Sequence, residues 1–145
     1  MSGTGLWLRM TRLLPATHAE AWSRLTDASE LAQWWGPKDF TVPSLDFEPE
    51  AGAGFRIAMQ PPEGELFHLD GEFREVDPPS LISFTFRWDP PDADDRETLV
   101  TLSVRDRGEQ TEVELTQGPF ATDERLALHE GGWRESFEKL AALLR

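Results

Sequence analysis

The chain of 145 residues contains no cysteine, no tyrosine and no asparagine. The absence of cysteine excludes disulfide bonds, thiolate metal sites and cysteine nucleophiles. The absence of tyrosine leaves an unusual aromatic set of nine Phe and six Trp residues. Because Phe has no polar atom and Trp has only one N–H, this set favours dry, apolar surroundings.

Positive charge is also scarce, since 14 Lys and Arg residues face 27 Asp and Glu residues and the formal net charge is −13. Binding to phosphates requires clustered Lys and Arg, so the charge argues against a nucleic-acid partner. It argues equally against anionic membrane surfaces. We interpret the acidic excess as a solvated, repulsive surface that keeps the protein soluble, with an acidic face for a basic partner as the open alternative.

No apolar run approaches the ~20 residues that span a bilayer. The N-terminus leads directly into a strand pattern, without a charged segment followed by an apolar one, so we expect a cytoplasmic protein. The length is typical of one domain. No internal repeat or long linker divides the chain, and residues 1–145 are therefore predicted to form a single domain.

Motifs for catalysis or metal binding are missing. The three histidines, His18, His68 and His129, lack the spacing of metal ligands, and a zincin helix starting at His129 would need histidine where Trp133 stands. With 27 acidic residues, a pair of carboxylates arises by chance and does not indicate acid–base catalysis. We expect no metal and no cofactor, and an enzyme is the least favoured function.

The N-terminal third has one strand and two short helices by pattern. Leu6–Leu14 alternates with a period near two, which predicts a strand. Two segments with the spacing of capping boxes follow, Thr17–Glu20 and Asp27–Glu30, and each predicts the start of a short helix. The second helix is expected to end near Trp34-Trp35, before Gly36-Pro37.

A series of strands fills the middle of the chain. Proline- and glycine-rich turns separate them, and no long helix lies between them, so the sheet must be antiparallel and meandering. The predicted strands are Phe40–Glu48, Gly54–Met59, Phe67–Val76, Leu81–Trp88, Glu97–Val104 and Thr111–Gln117.

A long helix is predicted at the C-terminus, with Thr122 as its N-cap and acidic residues in its first turn. At about 100° per residue, its apolar stripe is roughly 80° wide and carries Leu126, His129, Trp133, Phe137, Leu140 and Leu144. One long helix needs one large apolar surface, which only the concave face of the sheet provides. The predicted fold is therefore α+β, a curved sheet of about seven strands around the C-terminal helix.

The space between sheet and helix is predicted to contain an open cavity, with a filled core as the alternative. A single helix cannot fill the wide end of a curved sheet, and Gly131-Gly132 costs about 1 kcal/mol per residue relative to alanine in a helix. Either close backbone approach or open space must explain these glycines. The expected wall of a site for a small apolar or aromatic ligand consists of Trp34, Trp35, Phe55, Ile57, Phe84, Phe86, Trp88, Gln117, His129 and Trp133.

Four segments carry a resemblance to a known family. Ala28–Pro37, Pro49–Phe55, Gly71–Pro79 and Gly132-Trp133 resemble, in this order, the Hsp90-ATPase-activator-like family of the START/Bet v 1-like (SRPBCC) superfamily. The resemblance covers almost the whole chain. It implies the helix-grip fold, with seven antiparallel strands, two short helices after the first strand, and a cavity under the long helix.

The same resemblance implies two functions. Members of the superfamily bind lipophilic ligands, and a eukaryotic relative activates the Hsp90 ATPase as one domain of a larger co-chaperone. A stress-related or Hsp90-activator-like interaction with a protein partner, such as a chaperone, is therefore the alternative to ligand binding. For either function we expect a monomer or a homodimer. The family often has histidine just before the turn into the last helix, where this chain has Gln117, which cannot shuttle protons.

Overall fold

The computed structural model describes residues 5–144 and contains one antiparallel sheet and three helices in that range. The strands are β1 (Leu6–Leu14), β2 (Leu45–Asp46), β3 (Gly54–Met59), β4 (Phe67–Asp77), β5 (Leu81–Asp89), β6 (Thr98–Arg107) and β7 (Gln110–Phe120). The helices are α1 (His18–Thr26), α2 (Ala28–Leu31) and α3 (Asp123–Leu143).

The sheet has the strand order β1-β7-β6-β5-β4-β3-β2, and every neighbouring pair is antiparallel. Strands β2 to β7 form a meander with short turns, and β1 joins the sheet at the far side of β7. The seven strands and the long final helix confirm the predicted helix-grip fold. Thr17 and Glu20 form the predicted capping box of α1, and Thr122 accepts a hydrogen bond from the N–H of Arg125 as the N-cap of α3.

One face of the sheet and the apolar stripe of α3 share a continuous core. Alternation along the strands places Phe55, Phe84 and Val100 in it, and the helix contributes Phe137 and Leu140. All of these side chains are buried. Burial of each large apolar side chain contributes roughly 1.5–3 kcal/mol, so the attachment of α3 is a main source of stability.

Close packing inside the sheet depends on glycine at position 71 in β4. A Cβ atom at Gly71 would lie 2.0 Å from the carbonyl oxygen of Thr85 and 2.4 Å from the Phe55 ring. The aromatic ring of Phe55 therefore occupies the space that any side chain at position 71 would need. This contact fixes where β3, β4 and β5 approach one another.

Strands β4 to β7 end one to three residues beyond their predicted ends, and two other elements are shorter than expected. The strand predicted over Phe40–Glu48 is reduced to β2 and one isolated bridge between Thr41 and Gln60, because Pro43 has no N–H to donate to a neighbouring strand. The second short helix ends at Leu31 rather than near Trp34-Trp35. Turns follow it, and Gly36 then adopts a φ of 94°, which ends the segment.

The loop over residues 35–40 is attached to α3 by Lys139. The Lys139 ammonium donates to the carbonyl oxygens of Pro37, Trp35 and Phe40 at 3.2, 3.4 and 3.5 Å. Burial lowers the pKa of Lys139, an effect that Asp39 and Glu135 oppose. The loop is thus held on the helix by a charged group that is half removed from water.

Among the helices within residues 5–144, none is long and apolar enough to cross a membrane.

Candidate functional site

A cavity of about 760 Å³ opens between the first half of α3, the loop over residues 35–40 and strands β3 to β5. The volume lies within the usual range of roughly 300–1,000 Å³ for ligand sites. Gly131 and Gly132 both border it. Outside the neighbouring helix backbone, a Cβ atom at Gly131 would meet no atom within 4 Å, and one at Gly132 would meet only Pro37 at 3.6 Å. Open space therefore accompanies both glycines.

The wall of the cavity is mainly aromatic. Aromatic pairs in the wall meet edge to face, with centroids 5.2 Å apart for Trp35 and Trp133, 5.3 Å for Phe67 and Trp88, and 4.9 Å for Phe86 and Trp88. Such pairs contribute about 0.5–1.5 kcal/mol beyond their burial, so they hold the wall in place. Six aromatic side chains border the space: Trp35, Phe40, Phe67, Phe86, Trp88 and Trp133.

His129 is a polar group in this wall and is neutral at pH 7. Its Nε2 accepts a hydrogen bond from the indole N–H of Trp88 at 3.2 Å, and its ring packs against Phe86 and Phe120. An indole N–H only donates, so the proton of the neutral imidazole is on Nδ1. Burial lowers the pKa of His129 to about 4, and the Arg125 guanidinium acts in the same direction.

Gln117 lies behind the wall and orients Trp133. Its Oε1 accepts a hydrogen bond from the indole N–H of Trp133 at 2.7 Å, and its Nε2 donates to the Thr98 hydroxyl at 2.9 Å. Gln117 is fully buried, so breaking this chain would leave polar atoms without partners. The amide therefore fixes the position of the largest helix side chain at the cavity.

Charged side chains surround one end of the cavity. Arg125 on α3 contacts Asp94 at 2.8 Å, Asp92 at 3.0 Å and Asp95 at 3.3 Å, all in the loop between β5 and β6. Hydrogen bonds from Arg125 and from the Thr122 hydroxyl hold the pKa of Asp94 below its usual value. This cluster ties the loop to the start of α3, next to Pro90 at the cavity wall.

Among the ten residues expected to form the site, five border the cavity: Trp35, Phe86, Trp88, His129 and Trp133. The other five are buried around it without lining it: Trp34, Phe55, Ile57, Phe84 and Gln117.

Three of these five residues, Trp34, Phe55 and Phe84, make their contacts elsewhere in the core. Trp34 donates its indole N–H to the carbonyl oxygen of Arg24 at 2.8 Å. Phe55 and Phe84 pack edge to face with centroids 5.3 Å apart, in a cluster that also contains Phe47 and Phe73. These rings pack against one another, so this part of the core is filled.

Sequence reasoning missed several residues of the wall. Phe40 comes from the loop over residues 35–40, Leu66 and Phe67 from the start of β4 and the turn before it, and Met59 from the end of β3. Alternation places Met59 and Phe67 on the same faces as the core residues of β3 and β4, but alternation does not distinguish a filled position from one beside a void. In the part of the chain that the structure describes, no three His, Asp or Glu side chains are grouped to hold a metal ion.

Residues 15–145 match the model of a protein family described as activator of Hsp90 ATPase homolog 1-like protein. This chain belongs to that family. The match covers most of the chain, including every element from α1 to α3. No protein of curated function matches the chain significantly.

Several solved structures of similar proteins have the same fold as this chain. The AHSA1 protein of Silicibacter pomeroyi is 31% identical, with a TM-score of 0.84 over 95% of this chain and 96% of that one. A protein of Rhodobacter sphaeroides is 26% identical, with a TM-score of 0.82 over 99% and 95%. A protein of Chromobacterium violaceum, at 22% identity, has a TM-score of 0.83 over 95% and 96% and is similar in fold.

The stability of this family member should depend on pH through His129. Its pKa is about 4 in the folded chain and about 6.5 in a model peptide, so the unfolded chain binds the proton more readily and acid favours unfolding. The free energy of unfolding should fall by about 2 kcal/mol from this group between pH 7 and pH 5.

Urea denaturation of the wild type and of His129→Gln at both pH values measures this contribution. The other histidines are present in both proteins, so their effects cancel when the two proteins are compared. The variant should lose less stability on acidification than the wild type. Equal losses in the two proteins would show that His129 is not the group that takes up the proton.

Proposed function

We propose that the protein binds a small hydrophobic or aromatic molecule in the cavity between the sheet and α3. The observation that carries the proposal is an open space of about 760 Å³ with an aromatic wall, in a chain whose helix has two adjacent glycines at that point. Apolar walls with a few oriented polar groups are typical of ligand sites.

The polar groups of the wall favour binding over catalysis. The indole N–H groups of Trp88 and Trp133 are both engaged, with His129 and Gln117 respectively. His129 is neutral at pH 7, and its Nε2 already accepts a hydrogen bond from Trp88. These groups stabilise the wall itself, so a ligand would be held mainly by burial of apolar surface.

A second candidate follows from membership of the family, whose name refers to activation of the Hsp90 ATPase. Leu66 and Leu128 are exposed large side chains at the rim of the cavity, where a protein partner could cover them. Saturable stimulation of the ATPase of a purified Hsp90 by this chain would favour this candidate. An apolar small molecule would then be expected to compete with the chaperone at the rim.

Titration with N-phenyl-1-naphthylamine, an uncharged apolar probe, tests ligand binding. We expect saturable binding of one probe per chain with a Kd on the order of 0.1 mM or tighter, from ~0.3 kcal/mol for each non-hydrogen atom. Trp emission should change with the same midpoint as probe emission, because Trp35, Trp88 and Trp133 border the cavity. A linear, non-saturating signal would show that the cavity does not accept an apolar molecule.

A further inference from the structure

The rim of the cavity carries an excess of negative charge. Four carboxylates and two guanidinium groups border the space, which leaves an excess of two negative charges. The six side chains are Glu65, Asp92, Asp95, Glu135, Arg125 and Arg134. The net charge of the whole chain has the same sign. Charge of one sign around a cleft with low-dielectric walls concentrates ions of the opposite sign at its mouth.

Both guanidinium groups at the rim already have carboxylate partners. Arg125 contacts three aspartates, and its side chain is only 13% exposed. Arg134 lies 3.7 Å from Glu130, one turn earlier on α3. Two of these partners, Asp94 and Glu130, do not border the cavity themselves. An anionic ligand would have to displace one of these partners.

Lys139, a half-buried cation on α3, is also engaged. The Lys139 ammonium lies behind the loop over residues 35–40, with its hydrogen bonds directed at three main-chain carbonyl oxygens of that loop. Lys139 does not border the cavity. It therefore offers no charge to an anion inside the cavity.

The aromatic wall adds a second, independent preference. Three of its six aromatic side chains are Trp, and the face of an indole ring attracts cations more strongly than that of Phe or Tyr. The attraction increases when the cation is removed from water, as it would be inside this cavity. Quaternary ammonium groups suit such a wall well, because they need no hydrogen-bond acceptors.

From the carboxylate-rich rim and the indole-rich wall, we propose that the cavity selects lipophilic cations, molecules with a hydrophobic or aromatic body and an amine or quaternary ammonium group. The inference rests on the proposed function and assigns the charge class of its ligand. The apolar body lies against the aromatic wall, and the ammonium group lies at the edge of that wall, in contact with an indole and toward the carboxylates of Glu65 and Asp92. An anion of the same shape gains the apolar contacts and loses the electrostatic ones.

Three probes of similar shape test this selection: (2-naphthylmethyl)trimethylammonium, its uncharged carbon analogue 2-(2,2-dimethylpropyl)naphthalene, and 2-naphthylmethanesulfonate. At about 10 mM ionic strength the cation should bind roughly tenfold more tightly than the anion. Raising the ionic strength to about 0.15 M should reduce the ratio severalfold, because the carboxylates at the rim are accessible to salt. A sulfonate that binds as tightly as the ammonium would overturn the proposal.

A pair of double variants separates the charges at the rim from the charge of the whole chain. Glu65→Gln with Asp92→Asn removes two rim charges and should lower the ratio of cation to anion affinity to about threefold or less. Glu109→Gln with Glu138→Gln removes two exposed charges that do not border the cavity and should leave the ratio at the wild-type value. Equal ratios in the two double variants would contradict selection at the rim.

The uncharged probe keeps the two proposals distinguishable. Suppose that the uncharged probe saturates in every variant while the cation binds no more tightly than the anion. The cavity then binds apolar molecules, and the assignment of charge class is wrong. If neither the uncharged probe nor the cation saturates, the cavity takes no ligand of this size, and both proposals fail.

Discussion

Replacement of Phe137 by alanine is expected to lower the free energy of unfolding by about 3–5 kcal/mol. Phe137 is 2% exposed, and its ring stacks between Trp34 and Trp133, with centroid distances of 6.1 and 6.0 Å. Loss of the ring leaves a void under α3 that two large indoles, each fixed by its own hydrogen bond, cannot close. Since small domains are stable by about 5–15 kcal/mol, the variant should retain only part of its stability.

Urea denaturation followed by circular dichroism measures this loss without relying on the Trp signals that the substitution itself changes. Leu128→Ala is the matched control on the same helix, because Leu128 is 62% exposed. The control should stay within about 0.5 kcal/mol of the wild type. A cost below about 1 kcal/mol for Phe137→Ala would show that α3 contributes little to the core.

Gly132→Leu should reduce the affinity for the uncharged naphthylamine probe at least tenfold. The Cβ atom at position 132 reaches ordinary contact with Pro37, at 3.6 Å, so the remaining atoms of a leucine must enter the cavity. A tenfold change in Kd corresponds to about 1.4 kcal/mol of binding free energy. The probe would lose more than this if one of its aromatic rings were displaced from its apolar contacts. Fluorescence titration measures the affinity, and thermal unfolding measures the stability of the same samples.

Gly132→Ala is the first control for this substitution. It should stabilise the folded chain by about 0.4–1 kcal/mol, because alanine restricts the unfolded chain and fits here without a clash, and it should retain most of the affinity. Ala142→Leu places the same side chain at an exposed position near the end of α3 and should leave binding unchanged. Full affinity in Gly132→Leu would mean that the probe binds elsewhere.

The elements of the fold could be predicted because their signals are local. Alternation over Leu6–Leu14 and Gly54–Met59 matched β1 and β3 to the residue, and the capping box at Thr17 located α1. Strand β2 was too long in the prediction because its length depends on which backbone groups find partners at a sheet edge. Pro43 prevents such pairing, and Lys139 holds the preceding loop on α3 instead.

The residues at the cavity were harder to predict because a void is a property of three elements together. Trp34 and Trp35 are adjacent in a turn, where no periodicity tells which one faces the space; Trp35 borders it and Trp34 lies in the core. Phe55 and Phe86 share the inward face of the sheet, but of these two only Phe86 borders the cavity. The curvature of the sheet and the angle of α3 decide between them, and neither can be obtained from the pattern of one strand.

The attachment of the cavity loop has a consequence for substitutions of its side chains. The ammonium of Lys139 binds main-chain carbonyl oxygens, which every amino acid supplies, so the wall stays anchored whatever side chains the loop presents. Substitutions at Pro37 or Phe40 can therefore reshape the space without releasing the loop from α3. The shape of the cavity is thus set in part by side chains at a few loop positions, whereas the position of the loop depends on its main chain.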